Sequence, residues 1–310
     1  MQEPLDCVPH PPPPFSLAHG RLCVVLAALL WSTSGAFTKL LTKDTGFGLD
    51  QPALAPLQLA FARPFFAGLA LLPLLRRGDV SFRPAMLVTA VCFAAMNALY
   101  VIAMAIGSAA NAVFLQYTAP MWLVLVGVFW LKEPADRRTL LALTASMVGV
   151  AVIVVGGWGD GGQLTASAIA VGSGVGYAAV LLGLRVLRGA SSRWLTVFNH
   201  LFAAAALAPA LFFYWKATPS PAQLVTLFLF GSLQMGLAYW LVARGLRRVS
   251  SQEAGMLTLL EPLLNPLWAF LVSGEKPSVF TFVGGGFILA ALAWRYWPGG
   301  WSVPRPVGER

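Results

Sequence analysis

Charged side chains are scarce in this sequence. Asp and Glu number 12 and Lys and Arg 21 among 310 residues, 11% in all, against about 25% in an ordinary soluble domain. So few charges cannot cover a water-exposed globule of this length. With 58% hydrophobic residues and a mean hydropathy of +0.73, the surplus apolar surface calls for a lipid bilayer as its solvent. Cysteine is equally sparse: Cys7, Cys23 and Cys92 form no CxxC and no zinc spacing, so they read as small hydrophobes rather than a disulfide framework or a metal site. No Walker motif, GxSxG or HExxH occurs, which excludes an ATP-driven pump within this chain and leaves no cofactor or metal to assign. A Gly-X-Y period, A/E/K/L/R enrichment and low hydrophobicity are also missing, so collagen-like, coiled-coil and disordered readings fall away.

What charge there is leans positive, with a net +9. In a soluble chain that balance would suggest nucleic acid. Here the basic residues fall in short gaps between apolar runs, and no basic helix interleaved with aromatics appears. The expected partners are membrane lipid and a small-molecule substrate, with no nucleic acid.

Spanning about 30 Å of hydrocarbon takes about 20 apolar residues. That window finds ten helices, near 22–41, 56–75, 85–106, 110–131, 138–156, 164–187, 194–215, 222–243, 251–273 and 279–297. Gaps such as Arg76–Pro84 and Lys132–Arg137 are too short to be soluble domains. Residues 1–20, with Pro9 and Pro11 to Pro14, show neither a positively charged n-region nor a small-residue cleavage site, and read as a disordered Pro-rich cytoplasmic tail. Residues 298–310 form a second cytoplasmic tail.

Lys and Arg are retained on the cytoplasmic side of a membrane. With the N-terminus inside, sixteen of the 21 cations fall on the inner side (for example Arg21, Arg76, Arg83, Lys132, Arg193, Arg244 and Arg295). Only Lys39, Lys43, Lys216 and Lys276 fall outside, and Arg63 lies within span two. Losing one span would scramble this split, so the charges support ten spans with both termini cytoplasmic, independently of hydropathy; the expected location is the cell (inner) membrane.

The sequence also matches itself at an offset of 142 from Ala103 to Ala135. Ser108 aligns with Ser250, Ala112 with Ala254, Leu115 with Leu257, Pro120 with Pro262, Leu125 with Leu267 and Glu133 with Glu275. Each copy holds five spans, an odd number, so the copies at 21–156 and 164–297 lie in opposite orientations. Inverted repeats are a signature of secondary transporters. The ten-helix layout and the paired segments Ser108–Glu133 and Ser250–Glu275 resemble the drug/metabolite transporter superfamily, in its EamA-type branch. The resemblance implies an all-α integral membrane protein, two inverted five-helix repeats around a central cavity, moving amino acids, other metabolites or drugs. Arg63-Pro64, Asn265-Pro266 and the proline-rich tail depart from the family's usual appearance.

Glu261 stands out as a site candidate. It lies ten residues into span nine, about 15 Å deep, where an ionised carboxylate costs roughly 2.5–3.5 kcal/mol. It must therefore face a cavity, be paired or be protonated. One reading makes it a proton-coupling or amine-binding group; the other has it bonding backbone left open by Pro262 and Pro266. Arg63, a third of the way into span two from the outer face, is placed to bind a substrate carboxylate, to reach Glu261, or else to serve as a structural ion pair or snorkel toward the outer headgroups. Trp31, Asn97, Tyr100, Gln116, Tyr117, Tyr177, His200, Gln234, Tyr239 and Asn265 are further candidates to line a substrate cavity, with hydroxyl and amide groups to orient a ligand and aromatic walls to hold it. Lys39 is expected to snorkel to the outer headgroups. Glu253 is expected to pair with Arg247 or Arg248, and Glu133 and Glu275 to bond loop amides or a nearby cation at helix ends. Gly172–Gly176 and Gly284–Gly286 read as close helix contacts rather than nucleotide loops.

These features point to a non-enzymatic secondary carrier that exports or exchanges an amino-acid-like metabolite by alternating access, with a proton as the candidate coupling ion. The alternative, an intramembrane enzyme acting on a lipid or isoprenoid, would need acids or histidines clustered at one depth. Arg63, His200, Glu253 and Glu261 are all that the spans supply.

Overall fold

A computed structural model describes residues 17–129, 137–187, 189–246, 248–249 and 251–296. Every regular element among them is helical. Among the described residues nine helices are long and apolar enough to cross a membrane: Leu17–Thr42, Pro56–Leu74, Pro84–Ile106, Ala109–Phe129, Arg137–Gly156, Gly161–Val186, Ser192–Tyr214, Pro221–Gly245 and Glu253–Ser273, with a shorter apolar helix, Val279–Arg295, as the tenth. They are numbered here as spans one to ten. Alternate crossing puts the start of span one and the end of span ten on the same side, called the terminal face below.

Span one starts at Leu17, inside the stretch assigned to the tail. The last proline of that stretch is Pro14, and nothing after it opposes a helix. Residues 1–16 and 297–310 lie outside the described residues, as do Lys132, Glu133, Arg188, Arg247 and Ser250.

The packing obeys the internal repeat. Span one packs on span eight as span six packs on span three, span two packs on span seven, and span five on span ten. Span one also touches span nine as span six touches span four. Exchanging each span with the one five places later reproduces this set, and the odd number per copy makes the symmetry an inverted one.

In lipid no hydrophobic force separates a helix interface from the tails, so close approach relies on small residues. Accordingly Ala27, Ala28, Ala60, Ala112 and Ala203 are buried, while Val88, Leu141, Phe212 and Leu271 face outward. A Cβ on Gly284 would meet the Gly149 carbonyl of span five at 2.5 Å, and one on Gly174 the Leu115 carbonyl of span four at 2.7 Å. These glycines are points of helix contact.

Three spans are interrupted near mid-membrane. Span one divides into Leu17–Ser32 and Ser34–Thr42, span four into Ala109–Gln116 and Ala119–Phe129, and span nine into Ser251–Thr258 and Leu260–Ser273. A proline cannot donate to the carbonyl four residues before it. Pro120 therefore frees the Gln116 carbonyl and Pro262 that of Thr258, and at the repeat offset these are equivalent breaks. Span eight has another irregularity, a π-helical stretch over Phe230–Leu237.

Candidate functional site

The breaks in spans four and nine and the π-helical stretch converge on the centre of the bundle. A cavity of about 610 Å³ begins near the terminal face, at Leu187, Ala190 and Leu246, and runs inward between spans three, six, seven, eight and nine to Trp31 and Tyr117. Beyond it lies a small chamber of about 40 Å³ lined by Arg63, Tyr100, Gln116 and Glu261. Trp31, Tyr117, Tyr177 and Tyr239 border both spaces and form an aromatic neck between them.

Nine of the twelve residues expected to line a cavity meet there: Glu261, Arg63, Trp31, Tyr100, Gln116, Tyr117, Tyr177, His200 and Tyr239. Asn97, Gln234 and Asn265 are not among the residues lining these two spaces. They stand behind the walls and hold others in place.

Arg63 is 6% exposed. Its Nε donates to Gln234 Oε1 at 3.0 Å and its Nη1 to Asn97 Oδ1 at 3.4 Å. The guanidinium sits 5.2 Å from the Phe230 ring centroid and 5.6 Å from that of Tyr100, favourable cation–π geometry. Asn97 also donates from Nδ2 to the Ala60 carbonyl at 2.7 Å. That carbonyl is the one Pro64 leaves without its helical donor, so Asn97 satisfies the break and positions the arginine together. Arg63 and Glu261 share the chamber but are not joined as an ion pair: amide partners on spans three and eight pull the guanidinium away.

Glu261 bonds a side chain of span four, a partner that neither reading of it named. Its Oε2 lies 2.9 Å from Tyr117 Oη, which is also 2.9 Å from the Thr258 carbonyl. Tyr117, not Glu261, thus reaches the carbonyl freed by Pro262. A tyrosine hydroxyl has one proton. If Tyr117 donates to Thr258, the proton between Tyr117 and Glu261 must belong to a protonated Glu261. If Glu261 is ionised, Tyr117 donates to it and the Thr258 carbonyl loses its partner. The protonation state of the carboxyl and the satisfaction of the helix break are therefore coupled through one hydroxyl.

Gln116, also on the chamber wall, donates to Ser173 Oγ at 2.9 Å. His200 Nδ1 lies 2.6 Å from the Thr196 carbonyl, an acceptor, which puts the ring proton on Nδ1. The ring packs 4.8 Å from Phe93 and 5.0 Å from Tyr239, centroid to centroid. Phe93, Thr196 and Asn199 also line the large cavity; as ordinary apolar or hydroxyl positions, Phe93 and Thr196 gave no signal of this in the sequence.

The other end of the bundle is sealed. Asn265 Nδ2 donates to Ser34 Oγ at 2.8 Å, and Ser34 Oγ is 3.1 Å from Tyr100 Oη. A Cβ on Gly35 would lie 2.5 Å from Asn265 Oδ1 and 3.0 Å from Ala109 Cβ, so only glycine lets spans one, four and nine close here. Farther out, Lys39 Nζ is 2.7 Å from Glu275 Oε2 and donates to the Gly107 carbonyl at 2.6 Å. Glu275 Oε1 in turn accepts from the Ala109 amide at 2.8 Å, where the first turn of span four favours an anion. Gly274, with φ of 66°, ends span nine in the left-handed region and delivers Glu275 to this position.

Lys39 therefore does not snorkel. It is 1% exposed and locked in a buried pair. Glu275 meets both an amide and a cation, as its place at a helix end suggested. Glu253 accepts from Arg21 of span one, a partner not anticipated from its own neighbourhood.

The EamA-like transporter family matches the chain twice, over residues 19–155 and 164–297. The chain is similar to an uncharacterized transporter from Archaeoglobus fulgidus, 29% identical over 284 residues that cover 90% of this chain and 97% of that one. A solved crystal structure of a protein shares its fold, with a TM-score of 0.61 at 18% identity over 90% of this chain and 97% of the other.

Proposed function

The chain belongs to the EamA-like transporter family, and from that premise we propose that it is a secondary carrier moving a small, amino-acid-like metabolite outward or in exchange by alternating access. The observation that carries the reading is the asymmetry of the central cavity. It begins near the terminal face at Leu187 and Leu246, ends on Arg63 and Glu261, and is separated from the opposite face by the Lys39–Glu275 pair. A site open to one side and sealed on the other by contacts between the two repeats is what alternation requires.

The terminal face is the cytoplasmic side of the cell membrane. The support is the crowd of cations there, including Arg76, Arg77, Arg83, Arg193 and Arg244. In the chamber, Arg63 receives a substrate carboxylate and Glu261 an ammonium group, while Trp31, Tyr177 and Tyr239 take the apolar remainder. Opposite charges held apart in one chamber suit a zwitterion better than either ion alone.

A proton is the coupling ion in this reading, and Glu261 carries it. Ionisation draws the Tyr117 proton away from Thr258 and leaves the carbonyl at the break of span nine unpaired. A buried carbonyl without a partner costs about 1–3 kcal/mol, enough to bias a helix break between two geometries.

The test is flux in liposomes made with the purified protein, measured for a broad metabolite panel with and without a pH gradient. Substrate movement that the gradient drives, lost in a folded Glu261→Gln variant, is the expected result. If no metabolite is moved or bound, the carrier reading fails. If Glu261→Gln keeps the rate and its pH dependence, Glu261 has no part in coupling.

A further inference from the structure

A second concavity lies beside the mouth of the transport cavity and belongs to none of the features above. Its volume is about 260 Å³, and it is formed by the first turns of spans one and seven and the last turns of span eight. His19, Arg193 and Arg244 converge on it from these three spans and Arg248 from just after span eight, Trp240 forms part of its wall, and none of the described residues lining it is a carboxylate. Orientation in the membrane asks only that cations lie somewhere on this face. It does not ask that they gather around one pocket.

Among these cations, Arg244 keeps charge to spare. Arg193 Nε is paired with Asp79 at 3.0 Å, which offsets one of them. Arg244 lies over the Trp240 ring at 5.2 Å, a contact that holds the guanidinium without neutralising it. The pocket sits at headgroup depth, because its walls are the ends of spans. Just beside it Leu17, Leu22 and Leu26 of span one are exposed toward the hydrocarbon.

We propose that this pocket binds a phosphate-bearing anion. Guanidinium forks match phosphate oxygens in pairs, and basic pockets between spans are suited to anionic headgroups. The phosphate can come from an anionic phospholipid of the surrounding leaflet, whose tails would lie along the leucines of span one, or from a free phosphate compound in solution. Ser192 and Ala243 line both this pocket and the transport cavity, so the anion sits at the cavity's threshold. The site stands independently of what the carrier moves.

Thermal unfolding of the purified full chain decides it, since a ligand of the folded state raises the melting temperature. The protein is compared in phosphatidylcholine vesicles, in vesicles with a fifth of that lipid replaced by phosphatidylglycerol, and in phosphatidylcholine with inorganic phosphate against chloride of equal ionic strength. Stabilisation by phosphatidylglycerol alone supports the site with lipid as its source, and stabilisation by inorganic phosphate as well supports it with free phosphate. Arg244→Gln and Arg248→Gln should each weaken the apparent affinity about fivefold, the equivalent of about 1 kcal/mol per arginine at a membrane surface. Arg77→Gln, an exposed cation on the same face, should leave it unchanged. Indifference of the wild-type protein to both anions overturns the proposal, whether or not the variants fold. So does a loss in Arg77→Gln as large as in Arg244→Gln, which would mean diffuse surface charge.

Discussion

Replacing Glu275 by Gln removes one charge from the seal on the face opposite the termini. Lys39 is 1% exposed and keeps the Gly107 carbonyl as an acceptor, but its charge then has no counter-ion. Removing one partner of a buried pair costs about 3–5 kcal/mol. The Glu275 side chain is 20% exposed, so solvent screens part of the interaction and the lower figure applies. About 3 kcal/mol is about a 150-fold change in an equilibrium. A sealed state favoured about 99 to 1 would become a nearly even mixture with states in which the seal is open.

A cysteine at Thr38 reports the change. Thr38 is fully buried one residue before Lys39, and its hydroxyl bonds only to the Ser34 carbonyl and Met104 sulfur, so Thr38→Cys disturbs little. A membrane-impermeant maleimide added from the opposite face should not label Thr38→Cys alone and should label it readily with Glu275→Gln. Adding Lys39→Met removes the stranded charge and should restore protection. If labelling is the same with and without Glu275→Gln, the ion pair does not hold the seal and the reasoning fails.

Other predictions concern the chamber and the terminal face. Tyr117→Phe removes the hydroxyl between Glu261 and Thr258; it should fold with a loss of about 1 kcal/mol, because the adjoining 40 Å³ chamber has room for a water in its place. Its transport rate should respond less to pH than that of the wild type in the same liposomes, and an unaltered pH profile would remove Tyr117 from coupling. Asp79, in the loop between spans two and three, is held below the usual carboxylate range chiefly by the Arg76 backbone N–H, then by the Ser191 hydroxyl and Arg193. A depressed carboxyl contributes stability above its unfolded value of about 4 and loses it as the pH falls through the folded value. The clip to the start of span seven should thus be intact at neutral pH and loosen under acid. Protease accessibility of this loop should rise on acidification in the wild type and be already raised, without pH dependence, in Asp79→Asn.

Much of this organisation is legible in the residues themselves. The ten apolar windows lie within a few residues of the helices, and the repeat seen in Ser108, Pro120 and their partners reappears as exchangeable packing contacts. Glu261 and Arg63 drew notice as charges at hydrocarbon depth, and both border the chamber. Their relationship was not legible: each is held by amide or hydroxyl partners from other spans, and they are not an ion pair. Lys39 looked like a snorkelling residue because its depth alone was visible, whereas its ion-pair partner Glu275 is 236 positions away. The π-helical turn that presents Gln234 to Arg63 leaves no mark in composition, since it arises where Gly231 packs against span two.

The sequence by itself determined the solvent, the number of spans and their alternation, because transfer of a side chain from water to lipid is a local free energy that adds along a window. Only the tertiary structure decided which proline-freed carbonyl meets which donor, which face is sealed and where the cavity opens. Those outcomes depend on the rotation of each helix about its axis and on distances between residues far apart in the chain. In a bilayer that rotation is set by packing of small residues and by a few hydrogen bonds, terms too small and too long-range to be read from any single span.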